Sequence, residues 1–213
     1  MQLLALLCHA ALAVVVSSSE VADKYMDAVL HDMRSEVPKR HLDPLAVTPF
    51  VVKVEGYDIR AREFSANYTE GAINGFAAVT RAGDCHYGMA EGQRKMGCYL
   101  AFGHVTVNMN AAVSGDTILG RQHKIATTTS VKKAIVLLEV WGHQSSSAQI
   151  HDFSVRKLTM NTTIVDGQLS LNRQRFNEFI GRLHLRVAQE LITNLLHGYV
   201  EALKAALARH KLP

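Results

Sequence analysis

Residues 172–209 read NRQRFNEFIGRLHLRVAQELITNLLHGYVEALKAALAR, and the rest of the predicted fold follows from this segment. Asn172 is a favourable N-cap residue, and no proline follows before Pro213. We therefore predict a helix over 173–209, about 55 Å long at 1.5 Å per residue, which can bend at Gly181 or Gly198. Its large apolar side chains recur at steps of three and four, as on one face of a helix: Phe176, Phe179, Ile180, Leu183, Val187, Leu191, Leu195, Tyr199, Leu203 and Leu207.

A helix this apolar must be covered by other parts of the chain. Burying the ten large side chains of this face favours folding by about 15 to 30 kcal/mol before conformational entropy is subtracted. The cover is predicted from residues 47–171, where apolar and polar residues alternate and β-branched residues are frequent. Turn signals such as Glu55-Gly56 separate the runs. We therefore predict about seven strands joined as an antiparallel meander.

The longest predicted strand runs over 99–113. Its alternation predicts Tyr99 and Val105 on one face of the sheet, with Leu100 and Phe102 on the other. A first strand carries Val51, Val52 and Val54 and leads to the Glu55-Gly56 turn. The remaining runs predict strands at 57–68, 72–81, 117–127, 131–142 and 147–160.

The N-terminal part of the chain contains two segments with different predicted roles. Residues 20–36 form an amphipathic helix, ended by Pro38 and Pro44. Residues 1–16 are apolar except for Gln2, Cys8 and His9, and serines follow at 17–19, which is typical of a secretory signal peptide. A membrane-spanning helix needs about 20 apolar residues, and this run is shorter. A cleaved signal peptide is therefore favoured over the alternative, an uncleaved membrane anchor.

These patterns predict a signal peptide over residues 1–19 and a single domain over residues 20–213. The domain is of the α+β class: a long, curved antiparallel sheet wrapped around a long C-terminal helix, with a shorter N-terminal helix. The protein is expected to be secreted and extracellular.

Cysteine and asparagine positions agree with export. Without Cys8, the chain keeps Cys85 and Cys98, which we predict to form one disulfide; the alternative is two unpaired buried thiols. Asn67 and Asn161 each begin a glycosylation triplet, so a glycoprotein is expected.

Other patterns argue against several function classes. The net charge of +4 is scattered, without the clustered basic residues that bind nucleic acid. The histidines lack metal-site spacing, and His184 and His197 lie on different helix faces. The serines at 145–147 lack the Gly-x-Ser-x-Gly turn, and no phosphate or dinucleotide loop is present. We predict no catalytic residue, no metal and no cofactor.

A curved sheet around one long helix rarely fills its interior completely. The remaining apolar space is a default ligand site. The helix face and the alternation of the last strand predict these ligand-facing residues: Phe153, Val155, Phe176, Phe179, Ile180, Leu183, Val187 and Leu191. The alternative is that these side chains only fill the core.

Two local stretches resemble a known family. Phe153-Ser154-Val155-Arg156 is similar to a late strand of the mite group 7 allergens, and Asp166-Gly167-Gln168-Leu169 with Asn172 and Phe176-Asn177 resembles their lead-in to the C-terminal helix. The order of elements resembles the tubular lipid-binding superfamily, which includes the BPI/LBP-like and takeout-like proteins. In this sequence the cysteine pair lies in the middle of the predicted sheet, whereas proteins of the takeout branch have a pair near the N-terminus. This difference favours the mite-allergen branch. The resemblance implies a super-rolled sheet, an apolar tunnel or groove, and lipid binding without catalysis.

Two function hypotheses follow. The first is a secreted, non-enzymatic binder or carrier of a small hydrophobic or amphipathic ligand, such as a lipid, fatty acid or terpenoid. The alternative is a recognition protein of the innate-immune type that binds microbial lipid or a protein partner through an exposed apolar surface.

Charge on the long helix adds one expectation about partners. Its first half carries four arginines, which predict contact with an anionic headgroup or a peripheral anionic membrane surface. The alternative interpretation is that these arginines cover apolar neighbours with their side-chain stems and keep their charged groups in water. The sequence carries no signal for an oligomeric state. The four residues are Arg173, Arg175, Arg182 and Arg186.

Overall fold

The computed structural model describes the backbone of residues 2–56, 62–117 and 121–213, and the side chains of those residues from residue 19 onward except that of Ala90. Part of the predicted strand 57–68, residues 57–61, lies outside the described residues, as do residues 118–120 of the predicted strand 117–127.

The described chain consists of an N-terminal helix, a run of strands and a C-terminal helical segment. Helix α1 spans Gln2–Lys39. The strands are β1 Leu45–Ala46, β2 Phe50–Val54, β3 Phe64–Asn74, β4 Thr80–Arg81, β5 His86–Ala90, β6 Gln93–Ala101, β7 Thr106–Ser114, β8 His123–Gly142 and β9 Gln149–Asp166. A 3-10 turn, Phe76–Ala78, precedes β4. Helix α2 (Arg173–Asn194), a π-helical turn (Leu195–Tyr199) and helix α3 (Val200–Leu207) complete the chain.

All described strands pair antiparallel in one sheet built around β8. On one side β8 pairs with β7 along its first half and with β6 along its second half, and on the other side it pairs with β9. The sheet continues from β7 to β3 and then to β1 and β2, while β4 and β5 pair with β6. The outer strands beside the C-terminal helix are therefore β2 and β9.

The C-terminal helix contacts both of these outer strands. On the β2 side, the backbone N–H and the hydroxyl of Thr48 donate to Glu190 Oε1 at 3.3 and 3.0 Å. On the β9 side, Thr162 Oγ1 lies 2.9 Å from His184 Nε2. Five strands, from β2 through β3, β7 and β8 to β9, would span about 19 Å if flat, whereas a helix is about 10 Å wide. One helix can reach both edges only because the sheet curves around it, which confirms the predicted fold class.

The N-terminal helix is held against the end of the chain. Arg209 forms an ion pair with Glu36 and lies 3.7 Å from Asp32. His210 Nε2 lies 3.2 Å from the same Asp32 carboxylate. Helix α1 is longer than the predicted helix 20–36 at both ends: it begins at Gln2, and it includes Pro38 before it ends at Lys39. In the described part of the chain, no helix is both long and apolar enough to cross a membrane.

The prediction of one strand over 99–113 is wrong, because β6 and β7 are separate strands. Between them, Phe102 N donates to Ala134 O at 3.0 Å and Val131 N donates to Val105 O at 2.9 Å. The break lies opposite an irregularity of β8 between Val131 and Lys133. It shifts the alternation, so that Phe102 and Val105 are both buried although the sequence predicted them on opposite faces.

Other strand boundaries also differ from the predictions. The predicted strands 117–127 and 131–142 are one strand, β8, from residue 123 onward, and the strand predicted to end at residue 160 continues to Asp166. The run 72–81 is not one strand, because β3 ends at Asn74 and a turn follows. Gly75 begins that turn with φ of 98°, and a Cβ there would lie 2.3 Å from His104 O. Only glycine fits both the backbone angle and this close approach.

The C-terminal helical segment largely agrees with its prediction. The Asn172 side chain accepts a hydrogen bond from Arg175 N at 2.9 Å, as expected for an N-cap. Gly198 lies within the π-helical turn, where a Cβ would come within 2.7 Å of Leu42 Cδ2. Gly181 lies inside α2, where helix geometry continues.

Candidate functional site: a groove between the last strand and the long helix

Helix α2 carries two parallel stripes of side chains with different environments. The first stripe is fully buried in the core, with exposures of 0 to 2%: Phe179, Leu183, Val187 and Leu191. Leu195 of the π-helical turn continues it and is 4% exposed. The second stripe lies one residue further along, about 100° around the helix, and is only half-buried. It consists of Phe176, Ile180, His184, Ala188 and Ile192. The helix therefore presents a mostly apolar face that the fold does not fully cover.

Strand β9 presents a matching row. Irregularities in its pairing with β8, including one between Ile135 and Val136, let side chains on both sides of Arg156 share the inner face. These inward side chains are also half-buried: Phe153, Val155, Leu158, Met160, Thr162 and Ile164.

The two rows face each other along a groove. Thr162 contacts His184 in the middle of α2, and the ring of Phe153 lies 6.2 Å from that of Tyr199 in the π-helical turn beyond the end of α2. The strand and the helix therefore run antiparallel, and the distance from His184 to Tyr199 is about 22 Å along the helix axis. We call this the β9–α2 groove: the inward row of β9 together with the half-buried stripe of α2.

The structure divides the eight predicted ligand residues into two sets of four. The first set lies in the core: Phe179, Leu183, Val187 and Leu191. Phe179 packs edge to face on Phe64, with ring centroids 5.2 Å apart. The second set lines the β9–α2 groove: Phe153, Val155, Phe176 and Ile180. Contact of either set with a ligand stays a prediction.

The sequence prediction missed Leu158, Met160, Ile164 and His184 as groove residues. Strict alternation from Phe153 and Val155 would place the odd-numbered residues inward, but the irregularity at Arg156 shifts the inward row to even numbers. His184 is not among the predicted ligand-facing residues, because the sequence does not show which strand residue it contacts.

One chain of polar side chains crosses the apolar groove. Thr129 of β8 is fully buried, and its hydroxyl lies 2.7 Å from that of Thr162. Thr162 in turn lies 2.9 Å from His184 Nε2. Burial lowers the pKa of His184, so its ring is neutral at pH 7.

The far end of the groove is aromatic. Tyr199 ends the π-helical turn and packs against Phe102 and Phe76, with ring centroids 5.1 and 6.2 Å away. In the described part of the chain its buried hydroxyl has no hydrogen-bond partner, and burial raises its pKa. Half-buried Phe153 covers this cluster from the β9 side.

Three of the four arginines predicted to meet anions have partners within the protein. Arg175 is buried and donates to Arg62 O at 2.7 Å. Arg182 pairs with Glu178 at 2.7 Å, and the Arg186 guanidinium lies 5.5 Å from the centre of the Phe50 ring. Contact of these arginines, or of Arg173, with a membrane stays a prediction.

Several surface hollows lie away from the groove. Those measured have volumes of about 290 to 420 Å³ and lie along the strands β3 and β5–β9 and at the turn between β8 and β9; none is lined by a predicted ligand residue. An enclosed cavity between sheet and helix stays a prediction. The described residues also contain no group of three or more side chains suited to hold a metal ion.

The predicted disulfide is confirmed: Cys85 and Cys98 are bonded, with their Cα atoms 4.5 Å apart. They lie beside the pairing of His86 with Gly97 on neighbouring antiparallel strands. Asn67 on β3 and Asn161 on β9 are both exposed, and their glycosylation stays a prediction.

Comparison with known proteins gives one relative over nearly the full length. It is the "Salivary anticoagulant protein P23" of Ixodes scapularis, which is 29% identical over 213 residues, covering 96% of this chain and 94% of the relative.

Two solved structures are similar at low sequence identity. The lipopolysaccharide binding protein has a TM-score of 0.46 and 10% identity over 84% of this chain, which spans only 38% of that protein. Takeout 1 of Epiphyas postvittana has a TM-score of 0.33 and 12% identity over 86% of each chain.

The family comparison covers most of the sequence. The model described as "Group 7 allergen" matches residues 21–207, which include every described strand and the helices α2 and α3. This match agrees with the resemblance found in the late strand and in the lead-in to the long helix. The protein belongs to the group 7 allergen family.

Proposed function

We propose that this protein is a secreted, non-enzymatic carrier that holds an apolar or amphipathic molecule, such as a lipid, fatty acid or terpenoid, in the β9–α2 groove. One observation carries the proposal: two facing rows of mostly apolar side chains are only half-buried along α2. A folded protein gains by covering such a surface, and a long, narrow apolar ligand has the matching shape.

The free energy gained by covering the groove is sufficient for binding. Removing about 300 Å² of apolar surface from water contributes about 7 kcal/mol, before the cost of association is subtracted. The groove side chains are apolar apart from Thr162 and His184, and these two bond to each other. Such a surface suits retention of a ligand rather than its chemical conversion.

Two observations support export. The disulfide between Cys85 and Cys98 is the kind of bond that persists in oxidising compartments. The relative from Ixodes scapularis carries the word salivary in its name. A cleaved signal over residues 1–19 is part of this proposal.

Recognition of a protein or of microbial lipid is the second candidate function. A hollow of about 380 Å³ lies along β5, β6 and β8, away from the groove, bordered by Met89 and Tyr99, which are 67% and 40% exposed. The relative's name also contains the word anticoagulant. This candidate places the binding surface away from the β9–α2 groove.

The carrier proposal is tested on the full chain secreted from animal cells. Native mass spectrometry of the purified protein, followed by solvent extraction, is expected to show a retained apolar molecule. Delipidated protein is expected to bind the apolar fluorophore N-phenylnaphthylamine. If nothing co-purifies and the fluorophore does not bind, the carrier proposal fails and the surface at Met89 and Tyr99 becomes the leading candidate.

A further inference from the structure

The polar chain from Thr129 through Thr162 to His184 stands among apolar neighbours. Along β9, Thr162 lies between Met160 and Ile164 on the inward row. Such a chain has a direction, because each hydroxyl carries one hydrogen.

The direction follows from the buried end of the chain. Thr129 is 0% exposed, and in the described part of the structure Thr162 is the side chain that can take its hydrogen. A buried donor without an acceptor is rarer and more costly than an acceptor with a free lone pair. Thr129 therefore donates to Thr162, and Thr162 donates to His184 Nε2.

This direction fixes the histidine tautomer. A neutral imidazole that accepts a hydrogen bond at Nε2 carries its hydrogen on Nδ1. The lowered pKa of His184 agrees with a neutral ring. No described residue accepts a hydrogen bond from Nδ1, and the ring is half-buried beside the apolar row. The groove therefore contains one unused N–H donor.

The charges nearby decide what this donor can bind. Arg182 and Arg186 lie two residues before and after His184, about 200° around the helix, and so on its opposite side. Arg182 is paired with Glu178, and the Arg186 guanidinium lies over the ring of Phe50 in β2. An ionised headgroup at His184 would lose water without gaining a cation, whereas an uncharged oxygen would not meet this cost.

Building on the carrier function, we propose that His184 is the polar anchor of the β9–α2 groove, and that its Nδ1–H binds an uncharged oxygen acceptor, such as an ester or ketone carbonyl, on a long apolar chain. The ligand class is then a neutral lipid ester or ketone rather than an ionised fatty acid or an amine. Thr129 and Thr162 are positioning residues, because they act by setting the tautomer.

Competition against N-phenylnaphthylamine tests the anchor with three ligands of equal chain length: methyl dodecanoate, dodecanoate and dodecylammonium. In the unmodified protein, the ester is expected to displace the fluorophore at the lowest concentration. His184→Leu is expected to lower the affinity for the ester by about five- to tenfold, which is the range for losing one hydrogen bond. The affinity for dodecylammonium should stay unchanged. The matched control is His197→Leu, which replaces an exposed histidine of the same helical segment and should change none of the three.

A second measurement does not depend on ligand affinity, and its main result comes from the unmodified protein. Proton–nitrogen NMR of histidine-labelled protein at pH 7 is expected to show hydrogen on Nδ1 of His184, and Thr162→Val is expected to weaken this preference. Hydrogen on Nε2 would overturn the inference, as would an equal loss for all three ligands in His184→Leu. If the fluorophore and all three ligands fail to bind the unmodified protein, the carrier proposal itself fails. If only the proposal for His184 is wrong, the unmodified protein still binds the ligands, and His184→Leu does not weaken binding of the ester more than binding of the other two.

Discussion

Phe179 and Ile180 are neighbours in the chain, and their side chains have different surroundings. Phe179 is fully buried and packs edge to face on Phe64 of β3, whereas Ile180 is half-buried on the groove side of α2. A turn of about 100° around the helix separates a core position from a groove position.

Alanine substitutions should separate these two roles. Phe179→Ala is expected to lower the free energy of unfolding by about 3 to 5 kcal/mol, because it leaves a cavity in the core. Ile180→Ala should cost about 1 kcal/mol and should weaken fluorophore binding. Urea unfolding and fluorophore titration check both. Equal losses of stability would show that Ile180 is also a core residue.

Two positions on β9 test the groove itself. Met160→Glu places a carboxylate on the inward row, and we expect fluorophore affinity to fall at least tenfold because the charge keeps its water. The control is Val165→Glu on the same strand, where the side chain is 61% exposed and the affinity should stay within twofold. Circular dichroism establishes that both variants fold. If the two variants bind alike, the ligand lies elsewhere.

At the scale of helices and strands, the sequence predicts most elements but not where the strands are interrupted. The long helix and the strand region could be predicted, because periodicity is a local property. The boundary between β6 and β7 could not, because it is set by pairing with the irregular middle of β8, which is distant in the chain. The inward row of β9 was missed for the same reason. The groove was therefore only half predicted, through Phe153, Val155, Phe176 and Ile180.

Two glycines with left-handed backbones give a test at this scale. Gly75 has φ of 98° and its added Cβ would collide with His104 O, whereas Gly83 has φ of 85° and open space around it. Gly83→Ala should cost about 1 to 2 kcal/mol, the penalty of the backbone angle alone. Gly75→Ala should cost more, because the main chain must also move. Denaturant midpoints of the two variants check the order, and a smaller effect at Gly75 would contradict it.

At the scale of the whole molecule, an ionic cluster joins the two ends of the domain. Glu36 of α1 bonds to Arg209 beyond α3, and this hydrogen bond is the main reason that the pKa of Glu36 lies below its ordinary 4.5. Because the folded-state pKa is lowered, the stabilisation is complete above about pH 4.5 and is lost as the pH falls through the folded-state value.

Acid unfolding should therefore depend on this cluster. We expect stability to fall as the pH drops below about 4.5, and Glu36→Gln to make that fall shallower, because the variant has no carboxylate to protonate. Urea midpoints at several pH values check this, with Glu20→Gln as the control, since Glu20 pairs with Lys24 at an exposed site. An unchanged slope in Glu36→Gln would show that other groups dominate acid unfolding.

Strand β9 pairs with β8 along one side only in the described sheet, and it is 18 residues long. A free edge of this length is a template for unwanted pairing with another chain, and such pairing leads to aggregation. Exposed Arg156 and Lys157 lie near the middle of the edge, beside an interruption of its regular pairing. These charges and this irregularity are the features by which proteins keep an edge from recruiting foreign strands. With these features, the protein could keep its apolar β9–α2 groove accessible at high protein concentration without aggregating.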